Sequence, residues 1–167
     1  MGRILDKLTG TKRPAEGTPR STPEELRAAL LAVAGPDDPY RVTEGGPKNA
    51  DLTAEWRIDE PTWSTTFSQK DVSHVIKIMM KLDDEAGEVR SIDQTYTVTW
   101  RAGVAQLSIT RESHRGQTKQ VAFRKEIGVD GTTRTTWSFS SDELKDPLRD
   151  AALQRGWGWK GLTFGKL

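Results

Sequence analysis

The stretches VSHVIKIMMKL (residues 72–82) and IDQTYTVTW (residues 92–100) carry apolar side chains at alternate positions. This period of two is typical of a β-strand that buries one face. Three further stretches before residue 140 repeat the pattern, and turns that contain glycine separate several of them. The sequence from Val72 to Phe139 therefore predicts an antiparallel β-meander, and this prediction decides the fold class.

The first of these stretches also fits a helix. Four of its apolar residues fall at helical spacing, namely Val72, Val75, Ile76 and Met79. Periodicity alone does not distinguish the two structures in so short a segment. The β-branched residues and the short Asp83–Gly87 link to the next stretch favour a strand over residues 72–82.

A first helix is predicted ahead of the meander. Thr22 can act as its N-cap, Pro23 suits the first helical position, and Gly35 follows the last apolar residue at helical spacing. These signals place the helix at residues 23–34.

A second helix is predicted after the meander. Proline is disfavoured inside a helix, so Pro147 is placed at the first helical position, with Asp146 as the N-cap. The helix then covers residues 147–155, and residues 141–145 form a turn before it. Residues 157–164 are predicted to form a final strand.

Two more alternating segments, near Tyr40–Thr43 and from Leu52 to Ile58, precede the meander. The predicted fold class is therefore α+β. It consists of a mostly antiparallel sheet of about seven to eight strands, twisted or partly closed into a barrel, with one N-terminal-side and one C-terminal helix. Residues 21–167 are expected to form a single domain. Residues 1–20, with five basic and two acidic side chains, are expected to form a flexible basic leader.

The composition limits the classes of function. The 167 residues include no cysteine, which excludes disulfides, thiolate zinc sites and a cysteine nucleophile. Basic and acidic residues number 25 and 24, so no global charge attracts nucleic acid or anionic lipid. No stretch approaches the roughly 20 apolar residues of a transmembrane segment, and no signal peptide is recognised. We therefore expect a cytoplasmic protein without a transmembrane segment.

Known catalytic and metal-binding motifs are missing. His74 lies on the apolar face of its strand, where a half-buried structural imidazole is expected, and His114 lies in a basic turn. The acidic group at Asp83–Glu88 lacks the spacing of a calcium loop. We predict no catalytic residue, no metal and no cofactor. The alternative is an enzyme whose site forms only in the folded chain.

Two tryptophans are the leading candidates for a binding role. Trp157 and Trp159 stand two residues apart, next to glycines and to Lys160. The pair has two interpretations: a lid that closes the core, which we favour, or a groove for a peptide, lipid or base. Trp157, Trp159, Lys160 and Arg115 are the predicted ligand- or partner-binding residues.

Basic segments indicate an alternative function, which is contact with a membrane or nucleic-acid surface. Residues 111–125 carry five basic side chains and one acidic one, Glu112, and the basic leader adds further charge. The single aromatic residue in this segment, Phe123, points inward by alternation, whereas nucleic-acid platforms need exposed rings. Weak peripheral contact with a membrane is therefore expected before contact with nucleic acid.

Three segments carry a resemblance: DLTAEWRI (residues 51–58), EVRSIDQ (residues 88–94) and GWGWKGLTFGKL (residues 156–167). They resemble small hypothetical proteins of actinobacterial type, and the likeness extends from the first helix to the last residue. It implies a bacterial cytoplasmic origin and transfers no activity or functional residue. The expected function is a non-catalytic cytoplasmic binding or interaction module, with a protein partner or a second copy of the chain as its ligand.

Overall fold

A computed structural model describes residues 11–69, 72–109, 121–127 and 133–162, and for residues 121–127 and 133–142 it describes the backbone. Three α-helices lie in this part of the chain: α1 (Pro23–Leu31), α2 (Pro61–Gln69) and α3 (Ser141–Gln154). A 3-10 helix covers Pro47–Asn49. None of the described helices combines the length and the apolar character needed to cross a membrane.

The described strands form two sheets. In chain order they are β1 (Tyr40–Glu44), β2 (Leu52–Trp56), β3 (His74–Asp83), β4 (Glu88–Arg101), β5 (Val104–Ile109), β6 (Val121–Ile127), β7 (Thr133–Ser140) and β8 (Gly158–Leu162). Six of them form the main sheet in the order β1-β2-β3-β4-β5, with β8 beside β4. The other two, β6 and β7, pair only with each other as an antiparallel hairpin in the described chain.

β4 is the longest strand and pairs along both edges. On one edge β3 runs antiparallel beside Glu88–Thr97. The other edge is shared, because β5 runs antiparallel beside Tyr96–Arg101 while β8 runs parallel beside Glu88–Ile92. β5 and β8 therefore lie end to end along one edge of β4.

The predicted α+β class with a mostly antiparallel sheet is confirmed, and residues 74–83 form a strand. The predicted arrangement differs. Six strands belong to the main sheet, and no pairing between described strands closes that sheet into a barrel. The β4–β8 pair is parallel. A parallel pair needs a long connection, which here contains the β6–β7 hairpin and α3.

The predicted start of the C-terminal helix is wrong. α3 begins at Ser141, so residues 141–145 are helical and Pro147 lies inside the helix. Burial of one helix face offsets the hydrogen bond that proline removes. The buried apolar residues of that face are Leu144, Leu148 and Ala152.

α2 has no counterpart among the predictions. Its sequence, PTWSTTFSQ, consists largely of weak helix formers, although Pro61 suits its first position. The buried Phe67 ring packs edge-on against Trp56 of β2, with the ring centroids 6.4 Å apart. Tertiary packing therefore holds a helix that the local sequence only weakly favours.

The main core joins α1 and α3 to the sheet. Leu26 and Leu30 of α1 are completely buried in it, as is the apolar face of α3. The sheet contributes residues from β2, β3, β4 and β8, among them Leu52, Ala54, Ile76, Ile78, Met80, Val89 and Trp159. Burial of this apolar surface is the main stabilising contribution to the fold.

The ends of the two terminal helices are closed by side-chain and backbone hydrogen bonds. The predicted N-cap of α1 is confirmed, since the Glu25 N–H donates to the Thr22 hydroxyl at 3.2 Å. α3 ends in a Schellman motif, in which Gly156 has φ +75° and the Trp157 N–H donates to the Ala152 carbonyl at 3.0 Å.

Gly156→Ala is expected to destabilise the fold more than alanine at another left-handed glycine. Gly156 has φ +75°, and an added Cβ would lie 2.4 Å from the Pro19 carbonyl oxygen. Gly103→Ala is the matched control, because Gly103 has φ +79° and no atom lies within 4 Å of an added Cβ. Each change carries a left-handed penalty of about 1–2 kcal/mol, and the clash adds to it only at Gly156.

Urea denaturation of the two glycine variants measures this difference. Equal losses of stability in the two variants would show that the close approach of the N-terminal segment (residues 11–20) to Gly156 adds nothing to the cost of the substitution.

Candidate functional site

An open cleft of about 440 Å³ lies beside the N-terminal segment (residues 11–20). Residues 11–18 and Arg20 form one wall, and the β3–β4 turn at residues 86–88 forms another. Gly156, which follows α3, and Gly158, the first residue of β8, complete the lining. The lining consists mainly of polar backbone, glycine and charged side chains.

Backbone hydrogen bonds attach the N-terminal segment to β8. The Lys12 N–H donates to the Trp159 carbonyl at 2.7 Å, and the Trp159 N–H donates to the Lys12 carbonyl at 2.9 Å. This antiparallel bridge uses the edge of β8 that faces away from β4. Residues 1–10 lie outside the described residues, and the predicted boundary between leader and domain at residue 20 stays a prediction.

Glycines permit the close approach of the N-terminal segment. A Cβ at Gly158 would lie 3.3 Å from the Lys12 carbonyl oxygen. A Cβ at Gly87 would lie 2.5 Å from a terminal nitrogen of the Arg20 guanidinium. The shape of the cleft therefore depends on positions that lack a side chain.

Arg20 is held between an aromatic ring and a turn. Its guanidinium carbon lies 5.4 Å from the centre of the Trp157 ring, which is a cation–π distance, and Gly87 leaves room for one of its nitrogens. The Trp157 indole N–H donates to the Ser21 carbonyl at 3.0 Å, so the ring is fixed. The ion pair of Arg20 with Asp84 spans 3.9 Å, which is too long for a hydrogen bond.

The structure buries both predicted tryptophans. Trp157 and Trp159 belong to the main core and expose almost none of their surface, which agrees with the lid interpretation. Lys160 follows Trp159 on β8 and is partly buried. Arg115 lies outside the described residues. The structure thus places three of the four predicted residues on or next to β8, and their binding role stays a prediction.

β5 forms an outer edge of the main sheet with apolar side chains in solvent. Val104, Leu107 and Ile109 expose 59%, 39% and 60% of their surface. None of the described strands pairs with the outer edge of β5. Its sequence, VAQLSI, lacks the charges and prolines that usually protect edge strands. The opposite edge, β1, carries both Arg41 and Glu44.

A network of paired charges covers part of β1, β2 and β3. Arg41 donates to Glu60 at 2.7 Å and to Glu55 at 2.9 Å. Arg57 donates to Glu60 at 3.0 Å, and the Lys77 ammonium lies 3.1 Å from the Glu55 carboxylate. Because each charge in the network meets an opposite one, we interpret the network as structural.

The same network shifts two pKa values. Burial by itself lowers the pKa of Arg41, but hydrogen bonds with Glu60 and Glu55 outweigh it and raise that pKa above its ordinary value. The hydrogen bond from Arg41 holds the pKa of Glu60 below its ordinary value, against a smaller opposing effect of burial. Both charged forms are therefore favoured near neutral pH.

A buried ion pair joins α3 to β4. The Lys145 ammonium donates to the Asp93 carboxylate, and only 9% and 11% of the two side chains are exposed. Ser91 lies two residues before Asp93, and its buried hydroxyl makes no hydrogen bond with the described residues. So little of this group reaches the surface that we interpret the ion pair as a link between helix and sheet.

The half-buried position expected for His74 is wrong. His74 is exposed, and its Nδ1 lies 3.0 Å from the Ser73 hydroxyl. His74 does not line the cleft, whose carboxylates are those of Glu16 and Glu88. Within the described ranges, no three His, Cys, Asp or Glu side chains lie close enough together to hold a metal ion.

No protein-family model, curated protein or solved structure matches the chain. The fold defines the class of protein, which is an α+β domain with a mostly antiparallel sheet. The resemblance to actinobacterial-type proteins stays an expectation. Function must therefore be inferred from the chemistry of the surfaces described above.

Removing one member of the buried ion pair should cost more stability than removing both. Lys145→Met leaves the Asp93 carboxylate buried without its ammonium partner, and such losses are about 3–5 kcal/mol. The double change Lys145→Met with Asp93→Leu replaces both charges by apolar groups and should recover most of that loss. Urea denaturation of the single and double variants gives the coupling. A single variant as stable as the original chain would refute the structural role.

The stability of the fold should depend on Glu60 at acid pH. Its pKa lies below the ordinary value of 4.5, so the folded chain binds fewer protons there than the unfolded chain. This stabilisation is present above pH 4.5 and is lost as the pH falls through the lowered value. The effect should be modest, because 33% of the side chain is exposed.

Glu60→Gln should therefore reduce the slope of unfolding free energy against pH in the acid range. Glu44→Gln is the control, because the Glu44 carboxylate lies 3.8 Å from Arg27 in an exposed pair. If Glu60→Gln and Glu44→Gln change the slope equally, the Arg41 contact is not responsible for the pH dependence.

Proposed function

We propose that this protein is a non-catalytic binding module that pairs the outer edge of β5 with a strand of another polypeptide. One observation carries the proposal: β5 combines exposed apolar side chains with an edge that no other described strand covers. Such an edge can pair with an added strand. When an edge is not used for binding, proteins normally protect it with charged residues, keep it short or cover it with another element. The proposed setting is the bacterial cytoplasm, as the resemblance and the lack of cysteine suggest.

The strand that we propose for this edge is β5 of a second copy. The register with β4 places Ala105, Leu107 and Ile109 on one face of the sheet. Antiparallel pairing of two copies centred on Leu107 sets Leu107 opposite its counterpart and Ala105 opposite Ile109. Apolar side chains then meet apolar ones, and β5 has no charged residue that could repel its copy.

This pairing has two-fold symmetry, so it closes after two copies. It would extend the main sheet of one copy into that of the other. Because β5 has only six residues, we expect a dimer whose population depends on protein concentration.

A second candidate function is contact with an anionic surface. Lys12, Arg13 and Arg20 all line the cleft, which supports this candidate. Glu16 and Glu88 line the same cleft, so it lacks the single sign of charge that membranes and nucleic acids attract. We therefore rank this function below strand pairing.

Ile109→Lys tests the pairing of β5. The new charge would lie opposite Ala105 of the second copy, whereas 60% of Ile109 is exposed in the single chain, so the fold itself should tolerate the change. Thr43→Lys is the matched control, because Thr43 is an exposed residue of the opposite edge strand, β1. Size-exclusion chromatography with light scattering measures the mass over a range of concentrations.

We expect the original chain and Thr43→Lys to approach twice the monomer mass as concentration rises, and Ile109→Lys to remain monomeric. A chain that stays monomeric at every concentration overturns the proposed function. A dimer that Ile109→Lys leaves intact would place the interface elsewhere.

A further inference from the structure

We infer that the cleft beside the N-terminal segment binds a small molecule through an oxyanion, either a phosphate or a carboxylate group, with the Arg20 guanidinium as its main contact. The residues that form this site are 12–20, 86–88 and 156–158, and none of them belongs to β5. This site therefore stands or falls separately from the proposed dimer.

Arg20 is positioned before any ligand arrives. The Trp157 ring lies 5.4 Å from the guanidinium carbon, and the missing side chain of Gly87 leaves space for one terminal nitrogen. Trp157 is itself buried and held by its hydrogen bond to Ser21. A flexible arginine loses side-chain entropy when it binds an anion, and a positioned one loses less.

Arg20 carries hydrogen-bond donors that an anion can accept from. A guanidinium carries five N–H donors in a planar fork, which suits two oxygens of one phosphate or carboxylate. In the described part of the chain, the Arg20 side chain makes no hydrogen bond, and its contact with Asp84 spans 3.9 Å. Since 46% of the side chain is exposed, a ligand in the cleft can reach these donors.

The charges around Arg20 are of both signs. Lys12 also lines the cleft, and its ammonium forms no ion pair with the described residues, while its backbone is fixed by the bridge to Trp159. Glu16 and Glu88 oppose these cations and disfavour an extended polyanion. The balance favours a small ligand with a single anionic group, for which about 440 Å³ is sufficient volume.

The test is a titration of the full chain with inorganic phosphate, acetate and glycerol phosphate, followed by nuclear magnetic resonance. The amide signals of Gly87, Gly156 and Gly158 report on the lining of the cleft. Arg20→Gln should weaken binding about tenfold or more, because hydrogen bonds to charged groups are strong. Arg20→Lys keeps the positive charge but loses the planar fork of donors. Its affinity for the anion should therefore lie between that of the original chain and that of Arg20→Gln.

Arg27→Gln is the matched control. Arg27 also forms a long ion pair, 3.8 Å from Glu44, and a similar share of its side chain, 38%, is exposed, but it does not line the cleft. Lys12→Gln is a second cleft variant with an exposed side chain and should weaken binding less than Arg20→Gln. Circular dichroism of each variant establishes that it folds.

Binding that Arg20→Gln weakens and Arg27→Gln leaves unchanged supports the inference. Sedimentation with phosphatidic acid vesicles then distinguishes a lipid headgroup from a soluble phosphate ester as the source of the phosphate group. A chain that binds the headgroup sediments with the vesicles, whereas a soluble phosphate ester competes with the vesicles for the chain. Absence of binding to all three soluble anions and to the vesicles overturns the inference. Equal weakening by Arg20→Gln and Arg27→Gln also overturns it, because general charge would then explain the binding.

Discussion

The structure depends most on the pairing of β4 along both of its edges. β3 covers one edge, and β5 and β8 share the other, while β2 and then β1 extend the sheet beyond β3. β4 also carries Asp93, the partner of Lys145 on α3. Because sheet and helix layers both attach to this strand, its register decides which side chains enter the core.

The parallel placement of β8 on β4 brings distant parts of the chain together. β8 follows α3 closely, and its pairing with Glu88–Ile92 sets Gly158 beside the β3–β4 turn, where the Gly158 N–H donates to the Gly87 carbonyl at 2.9 Å. The N-terminal segment then bridges to Trp159, and Arg20 reaches Trp157. The cleft is therefore a consequence of topology, since three segments far apart in sequence form its walls.

The sequence predicts what local pattern controls. Alternating apolar residues identify β3 and β4, and the Thr22 cap identifies α1, because each signal lies within a few residues of the element it specifies. α2 is missed because the contact between Phe67 and Trp56 holds it, rather than helix propensity. The start of α3 is missed because burial overrides the usual rule for proline.

The candidate site was less accessible to prediction, since the contact of Arg20 with Trp157 joins residues that no sequence period relates. The sequence predicts a binding role for the two tryptophans, but both are buried, and the accessible charged group is the arginine that lies over one of them. Gly87 and Gly156 carry only a weak signal, because a glycine after a strand or helix usually marks a simple turn. Their role in admitting the N-terminal segment is visible only when the facing groups are known, which are the Arg20 side chain for Gly87 and the Pro19 backbone for Gly156.

The topology also explains why both candidate surfaces occur on the same side of the sheet. On the β1 side, Arg41, Glu55 and Glu60 form a network of opposite charges. Because these groups already bind one another, they offer a ligand few donors or acceptors. The strands on the shared edge of β4 are different. None of the described strands covers the outer edge of β5 or of β8, apart from the single bridge between Lys12 and β8. An apolar edge at β5 suits a polypeptide strand, whereas the charged lining beside β8 suits a small anion. The two surfaces are therefore expected to act independently, each through its own chemistry.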